Sequence, residues 1–75
     1  MGTNSSVSEA KAREIAEADA AHAYRDLSIY KVIVRLAEGK WYIDYELKDE
    51  TLLGGGPHYV ICAETGEVLS RRYEQ

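Results

Sequence analysis

His58 and Cys62 lie four residues apart, and a histidine–cysteine pair could serve zinc ligation or thiolate nucleophilic attack. Geometry argues against both. The segment Pro57–Cys62 reads as a strand, where a rise of about 3.3 Å per residue separates the two side chains by roughly 13 Å. One metal ion cannot span that distance, and the imidazole cannot reach the thiol to lower its pKa. His22 falls in a helical stretch and completes no ligand set. The expected roles are a solvated histidine on a sheet edge and a half-buried, unreactive cysteine. Asp44 and Glu46 point the same way, about 6.6 Å apart along a strand. That spacing could suit a carboxylate pair, but Lys31 and Arg35 of the neighbouring strand are placed to pair with them as a solvated charge ladder. Gly54-Gly55-Gly56 has the flexibility of a phosphate loop without its context. A phosphate cradle needs a helix N-terminus after the glycines, and here Pro57 opens a strand. No catalytic, metal or cofactor site is expected.

The elements that position these residues follow from periodicity. Ser6-Val7-Ser8-Glu9 fits a capping box with Ser6 as the N-cap. The run from Ala10 to about Tyr24 lacks Gly and Pro and is rich in Ala, Glu, Lys and Arg, which predicts a helix. Ala12, Ile15, Ala16, Ala20, Ala23 and Leu27 form its apolar stripe, a face that allows close approach to a sheet but buries little area. Tyr30–Leu36 and Trp41–Leu47 both alternate with period two. With Glu38-Gly39 as a two-residue turn, Leu36 opposes Trp41, Val34 opposes Ile43 and Val32 opposes Tyr45, while Lys31 meets Glu46 on the other face. For the last hairpin, a three-residue loop Glu64-Thr65-Gly66 sets Ile61 opposite Leu69 and Cys62 opposite Val68. A two-residue turn would confront Glu64 with Glu67. The predicted architecture is α+β: residues 1–5 frayed, then one domain over 6–75 with one helix on a four-stranded antiparallel meander.

Totals bound the function classes. The chain has 75 residues, net charge −4 and one cysteine. A domain of this size buries only about 60% of its unfolded surface, and no disulfide framework stabilises it. Scattered basic residues give no phosphate-neutralising patch, so nucleic acid is not an expected partner. No run approaches the ~20 apolar residues of a membrane span, and no signal peptide is visible. The cytoplasm is the expected compartment if Met1 is the native start, and the periplasm becomes possible if Met1–Ser6 is not native. Leu52 and Leu53 sit in a long connection from Lys48 to Pro57. They either fold back to cap the small core or face a partner. Ile33, Tyr42 and Val60 fall on the sheet face that no second helix covers, so this face and the Leu52–Gly56 loop (Leu52, Leu53, Gly54, Gly55, Gly56) are the candidate partner-binding surfaces.

Two small bacterial modules show this pattern. The stretch Val60-Ile61-Cys62-Ala63-Glu64-Thr65-Gly66-Glu67-Val68 resembles the terminal hairpin of PepSY domains, in which Asp commonly stands where this chain has Cys62. Glu14-Ile15-Ala16 on the helix, the strand start Trp41-Tyr42-Ile43 and the glycine loop before the hairpin resemble a family of immunity proteins with a nuclear-transport-factor-like fold. The glycine loop and the tryptophan strand favour the second. Either resemblance implies a two-layer, cystatin/PepSY-like arrangement and a non-enzymatic role. The immunity likeness implies neutralisation of a bacterial toxin by occlusion. The PepSY likeness implies modulation of a peptidase or an envelope protein. Self-association as a homodimer is a further expectation for so short a chain.

Overall fold

The computed structural model describes residues 7–49, 51–52 and 55–73. Helix α1 spans Glu9–Ala23, and strands β1 (Tyr30–Ala37), β2 (Lys40–Leu47), β3 (Pro57–Cys62) and β4 (Val68–Tyr73) follow. The strands pair antiparallel in chain order, β1-β2-β3-β4, and α1 packs on one face of this meander. The α+β architecture is the one that the periodicity predicts.

The helix starts two residues later than its capping signal implies. Ser8, not Ser6, is the N-cap, and its hydroxyl accepts from the Lys11 amide at 3.1 Å. Glu9 is the first helical residue, and its carboxylate accepts from the Arg13 guanidinium at 3.0 Å. Ser6 lies outside the described residues. On the sheet side only Ala12, Ala16 and Ala20 are fully buried, one alanine per turn. Ile15 and Leu27 pack at the margin, whereas Ala23, expected on the stripe, is exposed. The helix ends as the Tyr24 amide bonds back to Ala20. Asp26 then turns the chain toward β1 by accepting from both the amide and the hydroxyl of Ser28, and those bonds hold its carboxyl below the usual range.

Because the helix contributes only methyl groups, the bulk of the core comes from the two central strands: Ile43 and Tyr45 of β2, Tyr59 and Ile61 of β3. The chain contains no phenylalanine, and tyrosines take its place. Rings of Tyr24, Tyr30, Tyr45 and Tyr59 meet edge to face in sequence, with centroids 5.8, 6.3 and 6.3 Å apart. Burial raises the pKa of the Tyr45 phenol, and the nearby Glu17 carboxylate adds to the rise.

The first hairpin matches its predicted register at every pair, from Tyr30↔Leu47 to Ala37↔Lys40. Its turn residues, Glu38 and Gly39, both have positive φ, 53° and 73°, as a type I′ hairpin requires. A Cβ at Gly39 would meet nothing within 4 Å, so Gly39→Ala carries a purely conformational penalty. We expect it to lower stability by about 1–2 kcal/mol, read as a shifted urea midpoint with an unchanged slope.

The last hairpin keeps the expected register from Pro57↔Tyr73 to Val60↔Ser70 and departs from it by one residue only next to the turn. Ile61 pairs with Val68 rather than Leu69, and a bulge lies between Val60 and Ile61. The cause is the turn. Gly66 takes the expected left-handed φ of 82°, but its amide bonds to Cys62 O while the Cys62 amide bonds to Glu67 O. Ala63 is thereby drawn into a four-residue connection. The added residue is absorbed by the bulge, which leaves Leu69 47% exposed.

A backbone clasp ties the chain start to this turn. The Val7 amide donates to Ala63 O at 2.6 Å, and the Trp41 indole N–H donates to Val7 O at 2.8 Å. A second tie crosses from the helix to the far side of the sheet. Asp19 accepts from the Tyr59 hydroxyl (2.9 Å), the Tyr73 hydroxyl (2.6 Å) and the Arg71 guanidinium (2.9 Å). Tyr59 is 1% exposed, so Asp19 supplies the acceptor that its buried hydroxyl needs.

Candidate partner-binding surface

Strand alternation sends even-numbered residues of β2 and β3 to the face opposite α1, where no element of the described chain covers them. Tyr42 sits at the centre of this face, paired across the ladder with Arg35 on one side and Val60 on the other. Ile33 flanks them on β1 and is 42% exposed. The three residues expected to mark this surface therefore occupy three adjacent strands of one face.

The charges around them are arranged differently from the expected ladder. Arg35 does not pair with Asp44 or Glu46; its guanidinium lies over the Tyr42 ring, 4.9 Å from the centroid. Asp44 instead meets His58, Oδ1 to Nδ1 2.7 Å. The β2–β3 pairing explains why. The Ala63 amide donates to Gly39 O in register with the ladder, so odd-numbered residues of β2 carry the bonding pairs and Asp44↔His58 falls at a non-bonded pair, where side chains approach most closely. His58 is thus not an edge residue. It lies on an internal strand between β2 and β4, with its side chain 19% exposed.

Cys62 closes the row on β3 and is half-buried. The Thr65 hydroxyl and the backbone amides of Thr65 and Glu64 point toward its sulfur, which holds the thiol below its ordinary pKa. The turn, rather than any histidine, supplies that influence. Among the described residues no three His, Cys, Asp or Glu side chains gather to hold a metal ion, and no helix is long and apolar enough to cross a membrane.

The loop expected as a second surface divides into different parts. Asp49 organises its start, accepting from the Thr51 amide and hydroxyl at 2.9 and 2.6 Å, and these bonds lower its pKa. Leu52 is 51% exposed, so it does not cap the core. Leu53 and Gly54 lie outside the described residues, and Gly55 is half-buried. Gly56 is buried rather than available to a partner. Its amide donates to Tyr45 O at 3.1 Å, and a Cβ there would fall 2.7 Å from Tyr45 Cβ. Its lack of a side chain serves close packing, not loop freedom.

On the helix side the coverage is uneven. The helix bonds toward β3 and β4 through Asp19, and a cleft of about 220 Å³ opens between α1 and β1, lined by Arg13, Glu17, Leu27, Val32 and Tyr45. Leu36 at the end of β1 is 54% exposed. Sequence periodicity placed Val32 and Leu36 on the core face correctly, but it carries no information on how far across the sheet the helix sits. Among known proteins the chain matches no family model, no curated protein and no solved structure.

Proposed function

We propose that this chain is a small, non-enzymatic protein-binding module that occludes a partner with the uncovered face of its sheet. The observation that carries the reading is the helix-free face centred on Tyr42, with Ile33 and Val60 beside it. Tyrosine and arginine are the residue types that anchor protein interfaces, and here they are already stacked on each other. A pre-stacked anchor loses little side-chain freedom on binding. The toxin-neutralising role implied by the resemblance to immunity proteins is the specific form of this reading, with a bacterial toxin as the occluded partner. Exposed Leu52 at the sheet's end extends the same apolar character.

The test is binding to the product of the neighbouring gene, the expected toxin, measured by calorimetry. Tyr42→Ala should weaken the complex about 30-fold or more, as truncation of a central anchor does, and Val60→Glu should do likewise. Lys11→Ala, on the exposed helix face, should leave affinity unchanged. Wild-type affinity in both sheet-face variants would reject this surface, and absence of binding to that toxin would reject the toxin as partner.

A further inference from the structure

Among the described residues no strand pairs with the outer edge of β1, and we propose that two copies of this chain join antiparallel β1 to β1 about a two-fold axis through Val34, forming one continuous eight-stranded sheet. The backbone determines which groups are available. In a two-residue hairpin the closing pair, Ala37↔Lys40, is hydrogen-bonded, so Lys31, Ile33, Arg35 and Ala37 bond inward to β2. The Lys48 amide bonds to Ile29 O, which fits the same alternation. The amides and carbonyls of Val32, Val34 and Leu36 therefore point outward. The Tyr30 amide, next in that series, is already bonded to Leu27 O.

The two sheet edges are not equivalent. β4 is short, joined through a bulge and carries adjacent Arg71 and Arg72, the features that blunt an edge. β1 runs eight residues in unbroken register, and its inner face looks onto the open cleft beside α1.

Symmetry then selects the register. A two-fold axis perpendicular to a sheet keeps each residue on its own face, so only registers that pair residues of like parity are allowed. Centring on Ile33 sets Lys31 against Arg35 of the second copy, twice, a like-charge confrontation. Centring on Val34 pairs Val34 with itself and Val32 with Leu36, so all three outward-pointing residues of each copy find bonded partners. Three bonded pairs at two bonds each supply about six hydrogen bonds. On the outer face this register lays Ile33 against the alkyl stem of Arg35. It also brings Lys31 beside Ala37 of the second copy, one residue from the opposite charge of Glu38. Leu36 and Ile33, 54% and 42% exposed, are the large apolar side chains that the seam covers.

Sedimentation equilibrium and amide exchange by NMR test the proposal. The wild type should dimerise with rising concentration, and the amides of Val32, Val34 and Leu36 should become protected in step with it. Val34→Pro removes a central donor that the monomer does not use and should weaken the dimer roughly 10- to 100-fold, because the axis counts each lost bond twice. Where circular dichroism shows that Val34→Pro does not fold, Leu36→Lys, an exposed-site change, should weaken the dimer in its place. Val60→Glu, remote from β1, should leave the dimer intact, which separates this edge from the binding face proposed above. A monomer up to millimolar concentration, or a dimer in which those three amides still exchange freely, overturns the proposal. So does a dimer that persists in the folded edge variant.

Discussion

Asp19→Ala should lower the unfolding free energy by about 3 kcal/mol, a large share of the roughly 4–11 kcal/mol expected for a domain of this length. A hydrogen bond to a charged group contributes about 1.5–3 kcal/mol, and Asp19 accepts three. They are not additive, and the Arg71 guanidinium is about half exposed, so solvent screening reduces its share to a fraction. The decisive bond is the one from Tyr59. Its hydroxyl is buried, and both burial and the adjacent carboxylate push its pKa upward. Truncating Asp19 strands that donor, at a cost of about 1–3 kcal/mol by itself. Arg71→Ala should cost under about 1 kcal/mol, and the contrast between the two variants identifies which contact matters. Acid should then erase the contribution of the Asp19 charge. The Tyr73 hydroxyl first, then Tyr59, Arg71 and His22, hold Asp19 below the ordinary carboxylate pKa of 3.8 against a smaller desolvation penalty. A carboxyl depressed in the folded state adds stability that is fully present above the unfolded pKa and is lost as pH falls through the folded value. Urea unfolding of wild type and Asp19→Asn should therefore diverge at pH 7 and converge as pH drops below about 4. A gap that stays constant down to pH 2 would show that the carboxylate charge plays no part.

Gly56→Ala should destabilise by about 3 kcal/mol, at the upper end of overpacking costs. The new methyl would lie 2.7 Å from Tyr45 Cβ, 2.9 Å from Tyr45 O and 3.0 Å from Tyr30 Cδ1. Two of these obstacles belong to a central strand, so no side-chain rotation clears them. Relief requires β2 and the segment entering β3 to separate, which breaks the Gly56–Tyr45 bond and loosens the Tyr30–Tyr45 ring contact. At about 4–8 °C per kcal/mol for a domain of this size, the melting temperature should fall by more than 10 °C. Gly39→Ala, which strains a turn without touching anything, should fall by clearly less. Equal losses in the two would mean that conformation, not volume, sets the cost at Gly56.

What could be read from the residues alone divides along one line. The first hairpin was legible because apolar alternation, charged faces and a Glu-Gly turn admit a single register. The second hairpin was harder next to its turn, because a left-handed Gly66 fits the observed four-residue connection as well as the expected three-residue loop. Hydrogen bonding at Cys62 decides that, and nothing in the residue types does. Asp19 was hidden for another reason. Helical periodicity shows which face packs inward, but Asp19 stands on the margin of the alanine stripe, and its partners lie 40 to 54 residues away. Asp44 and His58 are invisible as a pair until the β2–β3 register is known, and the connection between those strands is too long to dictate it. Gly56 illustrates an ambiguity of type: the same residue answers a need for rotation or a need for room. Of the candidate surface, Ile33, Tyr42 and Val60 could be assigned to one face by alternation. The stacking of Arg35 on Tyr42 could not.

The Val7 clasp has a consequence for the order of assembly. Every strand pairing in the meander joins neighbours in the chain, so the sheet can grow strand by strand, with the β2–β3 connection the longest loop to close. The bonds of Val7 to Ala63 and Trp41 instead join the start of the chain to residues near its end and middle. Before the hairpins form, that closure is among the most entropically demanding in the molecule. Once they have formed, Trp41 is already paired with Ile61, two residues from Ala63, and the clasp closes onto a ready-made cleat. Synthesis therefore brings out the helix before the strands, yet its anchor does not exist until the β3–β4 turn has emerged, so this helix is fastened only after the sheet it packs on.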